Sequence, residues 1–196
     1  MNSMVDLYKD AALAVGLGRR YGRDASDEAT TDCISFQYEI LRHLYGDLIP
    51  GPGTTEHRIL HLNITDGLFS FDNVHTLHEL GVVARPEIFP HGRQQLLSPG
   101  VYYCQAWNQA GQHGATRTRG HTFALLVTDS VPWSYSTYPP VHILEATNST
   151  RDRDEDGTED QFDWYRAARY PDVLSRWGRV CFAQLINPYA LEKDDG

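Results

Sequence analysis

The chain lacks any run near the roughly 18–20 apolar residues that a membrane span requires. Basic residues are in the minority, with Lys and Arg at 17 against 26 Asp and Glu, a net charge of −9 and a pI near 5.4. Nucleic acid and anionic membrane surfaces are therefore poor partners, because binding phosphate needs a basic face. The opening residues MNSMVDLYKD have no basic stretch followed by an apolar one, so no secretory signal is expected and synthesis is expected in the cytoplasm. Cysteine is scarce, at three residues, and no CxxC pair is present, which argues against a zinc ribbon. No internal repeat occurs, and no linker is long enough to divide the chain, so residues 1–196 are expected to form a single domain. What is present suits a folded, soluble protein: 41% hydrophobic and 22% charged residues.

Hydrophobic spacing places helices first. Residues 3–15 read as a helix with Val5, Tyr8, Ala12 and Val15 on one face. A second helix is expected over 33–45, where Phe36, Ile40 and Leu44 recur every fourth position. Asp32 is its N-cap and Gly46 its stop. Residues 47–71 read as irregular, with a Pro50-Gly51-Pro52-Gly53 turn, and 72–80 as a short helix closed by Gly81. Strands follow at 100–107, 121–128, 141–146 and 179–186, each rich in β-branched or aromatic residues. An acidic loop at 150–161 and a short helix at about 162–176 lie between the last two. Helices followed by an antiparallel sheet make an α+β pattern.

The candidate chemistry begins at Cys33. Cys104 (VYYCQAW) and Cys181 (RVCFAQLI) lie in strand-like contexts and read as buried thiols. Cys33 instead follows the polar run Asp27–Asp32 and opens a helix, where unpaired N–H groups favour a thiolate. Read alone, it also fits a small residue filling a helix's first turn. His121, preceded by Gly120 and followed by Thr-Phe-Ala-Leu-Leu-Val, opens an apolar strand and is the candidate base. The other histidines fall in helical or loop settings and read as surface residues, apart from His142 in the next strand. In Val141–Ala146, alternation puts Val141, Ile143 and Glu145 on one face and His142, Leu144 and Ala146 on the other. A buried carboxylate needs a partner, and Glu145 on the His121 ring would supply one and fix the tautomer. Asn148 and His142 are the alternatives for that third position.

The ordered set Tyr21, Asp32-Cys33, Pro99-Gly100-Val101-Tyr102-Tyr103, Gly120-His121 and Leu144-Glu145-Ala146 resembles the NlpC-type and CHAP cysteine peptidases and amidases. Tyr21 precedes Cys33 by twelve residues, as a tyrosine often does in those families. The likeness covers about residues 18–148. It departs at Asp-Cys-Ile-Ser, where Asp-Cys-Ser-Gly is usual, at Gly22-Arg23, where Gly-Gly is usual, and in a long insert at 47–98. It implies a papain-like NlpC/CHAP fold, with N-terminal helices packed on a mainly antiparallel sheet. It further implies hydrolysis of amide bonds in bacterial peptidoglycan peptides, by an endopeptidase or amidase. Cys33 would be the nucleophile, His121 the base and then acid, and Glu145 the orienting group. The Cys33 N–H would bind the oxyanion, Tyr21 would line the site, and catalysis would need no cofactor. Action at the cell wall or periplasm is implied, with an inhibitor, immunity protein or delivery system as further partners.

Residues 152–163 form a second candidate site. Asp152, Asp154, Asp156, Asp160 and Asp163 take calcium-loop positions 1, 3, 5, 9 and 12, with Gly157 at position 6 and Thr158 beside it. The segment reads as a solvated acidic loop, with a structural Ca²⁺ loop as the competing reading. For the whole chain the alternatives are a noncatalytic, calcium-stabilised binding module on the same fold and a transglutaminase-like acyltransferase.

Overall fold

Ser3 and Asp6 start the first helix as a reciprocal cap: Ser3 Oγ accepts from the Asp6 N–H at 3.1 Å, and Asp6 Oδ2 accepts from the Ser3 N–H at 3.2 Å. The computed structural model describes residues 3–16, 20–21, 30–62, 71–88, 95–108, 119–129, 131–133, 142–146, 162–166 and 179–191. Helix α1 spans Met4–Gly16 and buries Val5, Tyr8, Ala11 and Ala12. Helix α2 spans Cys33–Tyr45, between the residues expected to bound it. The Asp32 carboxylate accepts from the N–H groups of Ile34 (3.1 Å) and Ser35 (2.8 Å). Gly46 closes the helix at φ +56°, a conformation that favours glycine.

Helix α2 is buried on several sides, with Ile34, Phe36, Gln37, Tyr38, Ile40, Leu41 and Tyr45 all inaccessible. Three neighbours explain this: α1, the sheet, and a helix not expected from sequence. Residues 47–71 were expected to be irregular, yet a 3₁₀ turn forms at Gly46–Leu48 and helix α3 at Thr55–Leu62. Thr54 caps α3, its Oγ1 accepting from the His57 N–H at 3.0 Å. The helix is short and polar, so its periodicity is faint beside the Pro-Gly turn before it. Helix α4, Asp72–Glu79, matches its expected place, and α5 is a single turn at Pro188–Leu191.

The strands are β1 (Arg20–Tyr21), β2 (Thr30–Thr31), β3 (Glu87–Ile88), β4 (Gln95–Leu97), β5 (Gly100–Asn108), β6 (Arg119–Val127), β7 (Val131–Trp133), β8 (His142–Ala146), β9 (Phe162–Arg166) and β10 (Arg179–Gln184). The main sheet runs β3-β10-β5-β6-β8-β9 and is antiparallel throughout. β1 pairs with β2 in parallel, and β4 with β7 antiparallel. The architecture is therefore α+β with a mainly antiparallel sheet. β9 corrects the helix expected from 162: the run Phe-Asp-Trp-Tyr is strand-favouring, and it pairs along β8 with Asp163 opposite Glu145. Residues 167–176 of that expected helix lie outside the described residues.

One face of the sheet shares its core with the helices. Val101, Tyr103, Ala124, Leu126, Leu144, Cys181 and Ala183 pack there with residues of α1, α2 and α4. Alternation sends Cys104, Phe123, Leu125 and Phe182 to the opposite face, and these are buried as well. Burial pushes the Cys104 thiol well up and the Cys181 thiol up to about 12, as expected of structural thiols. No helix among the described residues is long and apolar enough to cross a membrane.

Candidate active site

Cys33 is the first residue of α2, partly exposed, with a free thiol. The Asp32 cap engages the N–H groups of Ile34 and Ser35 and leaves that of Cys33 outside the cap. A donor at a helix N-terminus with no partner among the described residues is well placed for an oxyanion.

His121 lies three residues into β6, across from Ala106 on β5, rather than at the strand's opening. Its side chain is 13% exposed and stacks on Phe123, with centroids 5.6 Å apart. Nε2 of the ring is hydrogen-bonded to Oε2 of Glu145, whose side chain is 3% exposed. Burial by itself pushes the imidazole towards its neutral form. The Glu145 carboxylate and the hydrogen bond and charge of the Cys33 thiol together outweigh it, raising the ring to about 10. With Nε2 taken by Glu145, Nδ1 is the nitrogen left for the thiol.

The structure thus brings Cys33, His121 and Glu145 into one connected group. His142 belongs to the other face of β8, opposite Leu126 and Arg166, so it is Glu145 that meets the ring. Asn148 lies outside the described residues. The Tyr21 backbone pairs with Thr31, close in sequence to Cys33, while its side chain lies outside the description. Asp152, Asp154, Asp156, Thr158 and Asp160 of the candidate calcium loop also lie outside it. The Asp163 backbone is in β9, opposite Glu145. Among the described residues, no cluster of three or more His, Cys, Asp or Glu is arranged to hold a metal ion.

Two groups around the site were not read from sequence. Tyr103 on β5 is fully buried, hydrogen-bonded to Asn73 and Thr122, and within electrostatic reach of Cys33; burial first, then that thiol among other groups, raises its phenol. Asn73 in turn accepts from Gln105 Nε2 at 2.9 Å and donates to the Ile59 carbonyl at 3.1 Å, tying α3 and α4 to the sheet. On α3, His57 and His61 stack with centroids 5.0 Å apart, and Tyr38 meets both edge-on. Ser35 Oγ donates to the His61 carbonyl. Burial and then His57 lower His61, while Asp32 acts the other way, so these two histidines border the α2 cap instead of standing on an open surface. The i, i+4 spacing of His57 and His61 was the only sequence signal of that pairing.

No family model, curated protein or solved structure matches this chain.

Proposed function

We propose that this chain is a cysteine hydrolase of amide bonds, with a papain-like placement of the nucleophile on a helix and the base on a strand. The observation that carries the reading is the connected group Cys33–His121–Glu145, with the nucleophile at a capped helix N-terminus. Peptidoglycan peptides are the substrate class that the resemblance to NlpC-type and CHAP enzymes implies.

Because the ring is raised to about 10, the thiol proton rests on His121 Nδ1 before the attack, and Cys33 Sγ adds to the substrate carbonyl from that pair. The carbonyl oxygen gains negative charge and accepts from the Cys33 N–H, with Tyr21 proposed to line the same side. Collapse of the tetrahedral species breaks the C–N bond, and His121 gives its proton to the leaving amine. A water then attacks the thioester and His121 takes its proton. The second collapse releases the carboxylic acid and returns the proton to the thiol pair. Glu145 holds the ring in one orientation and stabilises its charged form throughout.

The direct test is to incubate the protein with purified peptidoglycan and identify the fragments by mass. New amine and carboxylate ends, produced by the native chain and not by Cys33→Ala, are expected. Intact peptidoglycan would sink the substrate assignment. Slow alkylation of Cys33 by iodoacetamide at neutral pH, unchanged in His121→Ala, would sink the nucleophile assignment.

A further inference from the structure

Gln37 is a polar side chain in the middle of α2 that is completely buried. Such a residue is costly in a helix interior unless both ends of its amide are satisfied. Both are. Its Nε2 donates to the Leu144 carbonyl at 3.1 Å, and its Oε1 accepts from the Tyr8 hydroxyl. The amide orientation follows from its partners. A backbone carbonyl only accepts, so the nitrogen must face Leu144, leaving the oxygen for the phenol of α1.

The position of this bond matters more than its strength. Gln37 is four residues after Cys33, one helical turn along, so the two share a face of α2. Leu144 is the residue before Glu145 in β8. His121 lies on β6, which pairs with β8 at Ala124↔Leu144. The Gln37 bond therefore closes a loop. One side runs from Cys33 through His121 to Glu145, and the other from Glu145 through Leu144 and Gln37 back along α2. Two other directional contacts tie α2 to the strands, and both lie at its ends: Cys33 with His121, and the Tyr45 hydroxyl donating to the Ile186 carbonyl beyond β10 at 2.6 Å. Between them the packing is apolar, which holds a helix down without fixing its position along its axis. A hydrogen bond is directional, and the Gln37 bond fixes the middle of α2 against β8 itself, beside Glu145.

We infer that Gln37 is a positioning residue that sets the register of the Cys33 helix against the Glu145 strand, with Tyr8 holding its amide in place. This rests on the Cys33–His121–Glu145 reading above. Loss of the bond leaves the helix free to shift by a fraction of an ångström to an ångström, and a 1 Å misplacement is worth on the order of 100-fold in rate.

The experiment compares the native chain with Gln37→Met, which keeps the side-chain length and removes both hydrogen bonds. The readouts are the rate of Cys33 alkylation by iodoacetamide against pH and the His121 ring titration followed by NMR. His121→Ala serves as the control. The expected result is a fall in neutral-pH alkylation of roughly 10-fold or more, with the ring titrating lower as Cys33 draws away from it. If Gln37→Met does not fold, Gln37→Asn is read in the same way, since its amide is one methylene too short to reach both partners. A variant with a lower Tm but native alkylation and ring titration profiles would make Gln37 a packing residue and overturn the inference. Alkylation insensitive to His121→Ala would instead overturn the triad reading, and the inference with it.

Discussion

Gly120 lies beneath the indole of Trp107, its cross-strand neighbour on β5. A methyl group at position 120 would sit 2.9 Å from Cζ3 and 3.0 Å from Cη2 of that ring. The indole is stiff and buried, so it gives way only by moving β5 or β6. Gly120→Ala is therefore expected to destabilise the protein by about 1–3 kcal/mol, as overpacking does. Because His121 is the next residue, Cys33 alkylation should slow as well. Thermal melts with near-ultraviolet circular dichroism check this; a native Tm would mean that the ring accommodates the methyl freely.

The fold was most legible where local chemistry acts alone. Asp32 and Gly46 delimit α2 because a cap and a left-handed glycine are properties of single residues. The alternation of Val141–Ala146 separated Glu145 from His142 by face, leaving the structure to say which of them the His121 ring meets. The misses were tertiary. The aromatic run at 162–165 favours a strand, but β9 forms by pairing along β8, a partner that the run itself does not reveal. Helix α3 is held by its Thr54 cap and by packing on α2. The Gln37–Leu144 bond joins residues far apart in sequence, so nothing local to α2 reveals it.

Cys33→Ala and His121→Ala should each remove activity, by roughly 100- to 10,000-fold or more for the loss of a general base alone. The double variant should be little worse than either single one, since members of one catalytic unit do not add. Glu145→Gln should cost less, because an amide oxygen still accepts from Nε2–H. Steady-state rates on peptidoglycan fragments decide this. Simple addition of the two single losses would place Cys33 and His121 in separate roles.

Cys104 and Cys181 should behave oppositely. Both thiols are buried and pushed upward by burial, so they should resist iodoacetamide until the protein unfolds. Substituting either with Ala should lower stability by roughly 1–3 kcal/mol and spare the alkylation rate of Cys33. Peptide mapping after brief labelling identifies the modified residue. Label on Cys104 or Cys181 ahead of Cys33 would contradict the assignment.

The His121–Glu145 pair should also leave a signature in stability. The ring is raised from 6.5 to about 10 in the folded state, burial being outweighed by Glu145 and Cys33. A group whose folded value lies above its unfolded one binds protons more readily when folded, so its contribution falls as pH rises. That contribution is complete below about pH 6.5, declines above it, and is gone once pH passes about 10. Lys and Tyr side chains titrate in the same alkaline range, so the native chain alone gives an ambiguous profile. Comparison with Glu145→Gln cancels them, because they are common to both proteins. The native chain should be the more stable at pH 6, and its advantage in urea midpoint should shrink steadily towards pH 10.5. The alkaline limb of the Cys33 alkylation profile should move to lower pH in the variant, since its ring loses the nearest negative charge. A stability difference that stays constant from pH 6 to pH 10.5 would mean that Glu145 supports the fold without holding a proton on His121.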